Sequence, residues 1–475
     1  MYIIPNPKKY TLFDEWFDFS DKLIITLPVG TVPAEYIPVY TELISNYTAG
    51  MTKAEFVLSD KLCGAAVISK EPFCDTLCEK TDDEYELHVK PDGAKLVFSE
   101  KTGFIHALTS FIQLIRIDEG YCYARATDVW DSPKINFRAA HLCVFRETTL
   151  GFLKKSIAMC GMAKYSHIVL EFWGMYRYKC CPGLSWRDAY TDAQIKPLVL
   201  FANALGIEVI PMLNHMGHAS QGRVAIGKHS ALDTDLSLAP LFEDDGWSWC
   251  TSNPKTQKLL AQCRRELCEL CGEGKYFHIG FDEAYTFATC RRCMKYDRLT
   301  LMKEQIINTN NDIRSLCRRT IMWADMMHDK STYDMKVYTC LTGSGEYVIK
   351  KDLPRDIIMA EWQYDCTEIF KTALSLNEDG FDTVTCPWEK YGNIDAATET
   401  VAQNGLFGVI ETTWHTLGRN IDRLSYAGEK MWSIEGTGGH AVHHLISAFH
   451  MRRCVPSNGN YAEAGINEHE LPSLY

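Results

Sequence analysis

No stretch of about 18 apolar residues occurs in the 475-residue chain, so the sequence offers no candidate membrane-spanning helix. It also lacks basic character. Lys and Arg number 49 against 61 Asp and Glu, a formal net charge of −12. With no basic block either, nucleic acid and anionic membranes are excluded as main partners. Glycine (31) and proline (17) are too scarce for a fibrous chain. The 46% hydrophobic content is ordinary for a globular protein and too high for a disordered one. The opening Met1-Tyr-Ile-Ile-Pro-Asn-Pro-Lys-Lys-Tyr10 has neither the continuous apolar core nor the small-residue cleavage site of a secretory signal.

Cysteine, by contrast, is plentiful. Nineteen residues, an odd number, in a long chain without a secretion signal read as reduced thiols and imply a cytoplasmic setting. Cys268/Cys271 and Cys290/Cys293 together fit a zinc-ribbon spacing. Geometry opposes one shared site. Residues 255–271 read as a helix and 275–280 as the strand after it, which puts the first pair at one end of that strand and the second at the other. About six residues at ~3.3 Å each separate them by ~20 Å, far beyond the ~2.3 Å bonds of a single zinc. Two readings of Cys290 and Cys293 stay open: plain thiols, or a separate metal site completed by ligands from another loop at the same end.

Two regions differ in pattern. Residues 1–132 hold alternating segments such as Lys22–Leu27 and Glu84–Val89, a Pro91-Asp-Gly93 turn leading into Ala94–Phe98, and helical spacing from Gly103 to Ile115. These predict a small N-terminal α+β domain, with a boundary near Asp131-Ser-Pro133. From 133 to 475, β-rich runs alternate with amphipathic helical runs. The eight β-rich runs are Arg138–Phe145, His167–Phe172, Glu208–Leu213, Tyr276–Gly280, Thr320–Ala324, Ile357–Glu361, Thr383–Pro387 and Phe407–Thr412. Helical runs are expected at 149–163, 192–205, 255–271, 296–317, 365–377, 394–403 and 440–452. Eight strand–helix units over ~310 residues predict an α/β fold of the (β/α)8 TIM-barrel class.

In such a barrel, chemistry sits at the C-terminal ends of the strands. Those ends carry Arg146, Glu171-Phe-Trp173, Asn214-His215-Met-Gly-His218, Asp282-Glu283, Trp323-Ala-Asp325, Trp362-Gln-Tyr364, Trp388-Glu-Lys-Tyr391 and Glu411-Thr-Thr-Trp414. One tryptophan alone is most simply core packing, and one Asp-Glu dipeptide is most simply a solvated surface. Tryptophans gathered at one end of successive units, among carboxylates and histidines, suit a sugar. Its C–H faces stack on indole rings, and carboxylates accept its hydroxyl hydrogens.

His278-Ile-Gly-Phe-Asp282-Glu283 resembles the His-x-Gly-Gly-Asp-Glu motif of glycoside hydrolase family 20, the β-N-acetylhexosaminidases. Phe137-Arg-Ala-Ala-His-Leu-Cys-Val-Phe-Arg146 is similar to that family's Phe-Arg-Gly-x-x-x-Asp-x-x-Arg segment, and Pro211–His218 to its Pro-Glu-x-Asp-x-x-Gly-His segment. The resemblance spans about 134–450. It implies exo-acting hydrolysis of terminal β-linked N-acetylglucosamine or N-acetylgalactosamine from an oligosaccharide, with retention. In this family the substrate's own 2-acetamido oxygen attacks and forms an oxazolinium ion, an exception to the two-carboxylate rule.

On that resemblance Glu283 is the general acid and then base, and Asp282 orients the acetamide and stabilises the positive charge. One carboxyl works protonated while the other stays ionised. Trp323, Trp362 and Trp414 wall the acetamide pocket. Tyr391, or next Tyr364, donates to the acetamide oxygen. Arg146 and Asp325 bind sugar hydroxyls, and His218 orients Glu283. No metal or organic cofactor is required by this chemistry, which leaves Cys290 and Cys293 as the sole metal candidates.

Several departures from the family bear on its polar site positions. Cys143 stands for the first-strand Asp, Glu171-Phe-Trp-Gly174 for the stretch carrying the Asp that partners the relay histidine, Asn214 for an Asp, and Thr416 for a Glu. Glu171 is a candidate replacement in the relay. Two alternatives follow: a retaining β-glycosidase with Glu361 or Glu411 as nucleophile, or a glycan-binding pseudoenzyme.

Overall fold

The computed structural model describes residues 3–220, 229, 231–418, 421–433 and 440–457. The end of the 133–475 region, 458–475, lies outside them.

The N-terminal part forms an eight-stranded sheet. Its strand order is Lys9–Asp18, Tyr121–Asp131, Tyr85–Lys90, Gly93–Phe98, Ala65–Ser69, Lys22–Pro28 and Lys53–Ser59, with Arg116–Asp118 paired to Tyr121–Asp131. The turn at Pro91-Asp92 sets Lys90 opposite Gly93 and makes the expected hairpin. Helices Ile37–Tyr47 and Lys101–Leu114 pack against the sheet through Tyr40, Leu43, Phe104, Leu108 and Phe111, all fully buried. Each such side chain contributes about 1.5–3 kcal/mol by leaving water.

Eight parallel strands close into a barrel: Phe137–Val144, His167–Phe172, Glu208–Met212, Tyr276–His278, Arg319–Trp323, Ile358–Trp362, Asp382–Cys386 and Gly408–Thr412. Period-two alternation sorts their side chains. Ala139, Val169, Ile210, Ile321, Ile358, Val384 and Ile410 fill the interior, with Trp323 and Trp362 above them. Met359 and Val409 belong to the outer apolar cluster under the helices. Glu361 and Glu411 share the outward parity of those two residues.

The helices start where the sequence provides caps. Thr149 accepts from Phe152 N, Thr191 and Gln194 form a capping box, Asn253 accepts from Lys255 N ahead of Pro254, and Asp297 accepts from Thr300 N. They lead into helices Leu150–Met162, Asp192–Ala204, Pro254–Cys271 and Arg298–Ser315.

Three expectations shift. The fourth strand ends at His278 rather than Gly280, because His278 Nδ1 accepts from Gly280 N and the chain turns there. The helix expected at 365–377 is Lys371–Glu378. A helix at Ile421–Trp432 was not expected; Gly428 interrupts its propensity, yet a Cβ there would sit 2.8 Å from Ala163 Cβ. The close approach of that helix to residue 163 therefore requires glycine.

Candidate active site

The turn after the fourth strand builds the site. Gly280 has φ +66°, and a Cβ on it would overlap the Asn214 side chain. Phe281 follows at φ +90° and Glu283 at φ +49°, in a region that side-chain-bearing residues rarely adopt. This backbone aims both Asp282 and Glu283 at the barrel mouth. Such strain persists only where surrounding contacts over-determine it.

Glu283 is held at four points. Its amide donates to Asp325 Oδ2 (3.1 Å), and its carbonyl accepts from Trp247 Nε1 (2.6 Å). Its Oε2 lies 2.9 Å from His218 Nε2, and Tyr285 donates its hydroxyl to Oε1 at 2.5 Å. Asp282 accepts from Asn214 Nδ2 at 2.9 Å and lies 3.4 Å from the same His218 nitrogen. His218 Nε2 thus touches both carboxyl groups. The two differ in setting: the Asp282 side chain is 4% exposed and the Glu283 side chain 27%. The more open carboxyl can meet a leaving-group oxygen, and the enclosed one can hold a buried polar group.

Asp325 lies beneath the pair and is fully buried. Burial, reinforced by the neighbouring Asp282 charge, pushes its carboxyl well above the usual range, against the opposing pull of the Thr342 hydroxyl and the Glu283 amide. Burial, together with the bond to Glu283, likewise raises the Tyr285 phenol, which keeps it a proton-bearing donor.

The tryptophans do converge. Trp323 and Trp414 lie 5.7 Å apart, with Trp323 also 4.4 Å from the His278 ring. Tyr364 packs between Trp362 (5.2 Å) and Trp388 (5.1 Å) and accepts from Trp414 Nε1 at 2.5 Å. The indole N–H groups of Trp323 and Trp362 are buried without a hydrogen-bond partner.

Other sequence candidates are placed differently. Tyr391 donates to Asp422 Oδ2 (2.6 Å) and packs on Tyr426, so Tyr364 is the tyrosine among the pocket indoles. Arg146 is 60% exposed, pairs with Asp188 and lies over Trp186. Glu171 accepts from Trp173 Nε1 (3.0 Å) and lies 3.1 Å from His141 Nε2 and 3.5 Å from Cys143 Sγ. It does not complete the relay, because His218 Nδ1 is buried without a partner. Glu171 instead places a carboxylate beside Cys143, the position where the family motif has its own. Glu361, bound by His328 and Gln363, and Glu411, with neither oxygen partnered, both face away from the barrel interior, which removes them as nucleophiles.

Sequence reasoning missed Trp247, Tyr285 and His141. Tyr285 lies two residues beyond Glu283, and that proximity was the available signal. Trp247 carries none, since it arrives from the long excursion after the third strand.

The profile of the Glycosyl hydrolase family 20 catalytic domain matches residues 163–416. A beta-hexosaminidase of Emericella nidulans is 24% identical over 64% of this chain and 52% of its own length. One of Vibrio furnissii is 22% identical over 74% of this chain and 65% of its own. The chain thus spans about half to two thirds of these curated relatives. Among solved structures, the exo β-N-acetylglucosaminidase of Vibrio harveyi in complex with N-acetylglucosamine superposes with a TM-score of 0.70 at 15% identity, covering 95% of this chain and 78% of that one. The Streptomyces plicatus N-acetyl-β-hexosaminidase gives 0.63 at 14% identity, with 98% and 96% covered. These likenesses place the fold: a (β/α)8 barrel behind an N-terminal domain. With more than half of its length inside the profile match, the chain belongs to glycosyl hydrolase family 20.

Proposed function

We propose that the chain is an exo-acting β-N-acetylhexosaminidase, hydrolysing terminal β-linked N-acetylglucosamine or N-acetylgalactosamine from glycans with retention. The adjacent Asp282–Glu283 pair, one carboxyl enclosed and one open, carries this reading. Glu283 protonates the leaving oxygen while the substrate's acetamide oxygen attacks C1. Asp282 accepts the acetamide N–H and stabilises the cyclic cation. Glu283 then takes a proton from the water that opens the ring. Trp323, Trp362 and Trp414 enclose the acetamide methyl, and Tyr364 donates to its oxygen. Asp325 supports the Glu283 amide from below, and His218 and Tyr285 hold the Glu283 carboxyl for proton transfer. The compartment proposed is the cytoplasm, supported by nineteen cysteines none of which is joined in a disulfide. Among the described residues, no helix is long and apolar enough to cross a membrane.

The test uses nitrophenyl β-glycosides of both epimers, with and without the 2-acetamido group. Glu283→Gln is expected to lose about 10²–10⁴-fold in kcat. Asp282→Asn is expected to lose more than about tenfold, ~1.4 kcal/mol, on acetamido substrates, and a thiazoline mimic is expected to inhibit the wild type. Turnover surviving Glu283→Gln removes the acid assignment, and a smaller Asp282→Asn loss removes substrate assistance. A second reading, a glycan-binding module without turnover, is favoured by the unpartnered His218 Nδ1. It is chosen if the wild type binds N-acetylhexosamine and hydrolyses neither epimer.

A further inference from the structure

Beside the pocket, two loops bring four potential ligands to one point. The excursion after the third strand contains a tight hairpin, with Phe242 bridged to Trp249 and Glu243 N bonded to Ser248 O. It presents Glu243 and Cys250. The loop after the fourth strand presents Cys290 and Cys293. One ligand atom from each of the four lies within 4.8 Å of all the others, and all four residues are buried.

Cys250 Sγ is 3.5 Å from Cys290 Sγ and 3.6 Å from Cys293 Sγ. A disulfide needs about 2.05 Å. A tetrahedral ion with metal–sulfur bonds of ~2.3 Å has sulfur–sulfur edges of ~3.8 Å. The observed spacing therefore fits a single ion. Glu243 is 1% exposed; its Oε1 has no hydrogen-bond partner, while Oε2 accepts from the amides of Thr289 (2.8 Å) and Cys290 (2.6 Å). A buried carboxylate with one oxygen anchored and the other unsatisfied beside three thiols is an unfinished ligand set. The outer groups suit thiolates: Cys290 Sγ accepts from Cys293 N at 3.4 Å, and Ser252 Oγ lies 3.0 Å from Cys293 Sγ. Such contacts hold ligating sulfurs in place.

We propose that Glu243, Cys250, Cys290 and Cys293 form a structural zinc site. Three thiolates select a soft, tetrahedral divalent ion. Binding releases the three thiol protons to solvent, and the four protein ligands close the coordination sphere, so the ion takes no part in hydrolysis. Its task is to clasp two loops. The Glu243–Cys250 hairpin carries Trp247, which donates to the Glu283 carbonyl and stacks on Tyr285. Cys290 and Cys293 close the segment that carries Glu283 and Tyr285. The zinc ties the wall of the pocket to the turn that aims the carboxyl pair.

The test is metal analysis of the full-length protein, grown with zinc and passed through metal-free buffer under reducing conditions. About one zinc per chain is expected, released in step with titration of thiols by a mercurial. Cys290→Ser and Cys293→Ser are expected to lose the zinc, and Cys268→Ser, outside the cluster, to keep it. Since the serine variants can fail to fold, alkylation of the wild type is read in parallel by peptide mass analysis. Added zinc is expected to protect Cys250, Cys290 and Cys293 and to leave Cys268 unchanged. Zinc-free protein after loading, iron in its place, zinc retained by both serine variants, or equal alkylation with and without zinc each overturns the proposal. None of these readouts depends on glycosidase turnover.

Discussion

At the scale of single residues, Phe281 shows how the site is held. The family motif has glycine where this chain has phenylalanine, and the backbone there keeps φ +90°. Holding a side-chain-bearing residue in that region costs about 1–3 kcal/mol. The ring is 1% exposed and belongs to the outer core, and removing a buried phenylalanine costs about 3–5 kcal/mol. Packing therefore outweighs strain. Phe281→Gly is expected to destabilise the protein by a net ~1–3 kcal/mol in urea unfolding; a stabilised variant would show that the strain is the larger effect. The neighbouring carboxyl pair was legible in the sequence because its two members are adjacent. Of the groups that fix it, His218 was named only through the family resemblance, Asp325 was assigned to a sugar hydroxyl, and Trp247 was missed. His218 and Trp247 reach Glu283 from the excursion after the third strand and Asp325 from the end of the fifth, and no local spacing encodes their convergence.

At the scale of the element, strand alternation decides which carboxylates face the pocket. The eighth strand, Gly408–Thr412, turns Ile410 inward and Glu411 outward into the helix layer. Neither oxygen of Glu411 finds a partner, and burial pushes its carboxyl well above the ordinary 4.5. For an acid whose folded value is raised, the folded state binds more protons than the unfolded state above pH ~4.5. Stability is then fully present below that pH and is lost as pH rises toward the folded value. Glu411→Gln removes this term. Its melting temperature relative to wild type is expected to climb between pH ~4.5 and neutrality; a pH-independent difference would contradict the buried acid. Placement was legible for all eight strands and for the barrel helices other than Ile421–Trp432, because runs, caps and turn residues are local signals. Inward against outward at Glu361 and Glu411 became readable only with the barrel register.

At the scale of the whole molecule, the N-terminal sheet is seated on the barrel through a polar seam at Asp131. Its buried carboxylate accepts from Tyr85 OH (2.8 Å) in the sheet, Trp432 Nε1 (2.7 Å) from the helix after the barrel, and Lys8 N (3.1 Å), with Lys164 Nζ at 4.0 Å. Tyr40 OH donates to Ala204 O across the same junction. Asp131→Ala leaves these donors and the buried Lys164 without their partner, and is expected to cost about 3–5 kcal/mol. Asp131→Asn, which keeps one acceptor, is expected to cost less. Equal unfolding midpoints for wild type and Asp131→Ala would mean that apolar contact alone holds the seam. The sequence by itself determined the class of the fold, the order of its eight units, and the adjacency of Asp282 and Glu283, because periodicity, capping and peptide connectivity act over a few residues. Only the tertiary structure decided that Tyr364 rather than Tyr391 joins the indoles, that Glu171 leaves the His218 relay open, and that Glu243 and Cys250 meet Cys290 and Cys293. Each depends on loops from different strands meeting above a closed barrel, and closure brings together residues that the chain holds far apart.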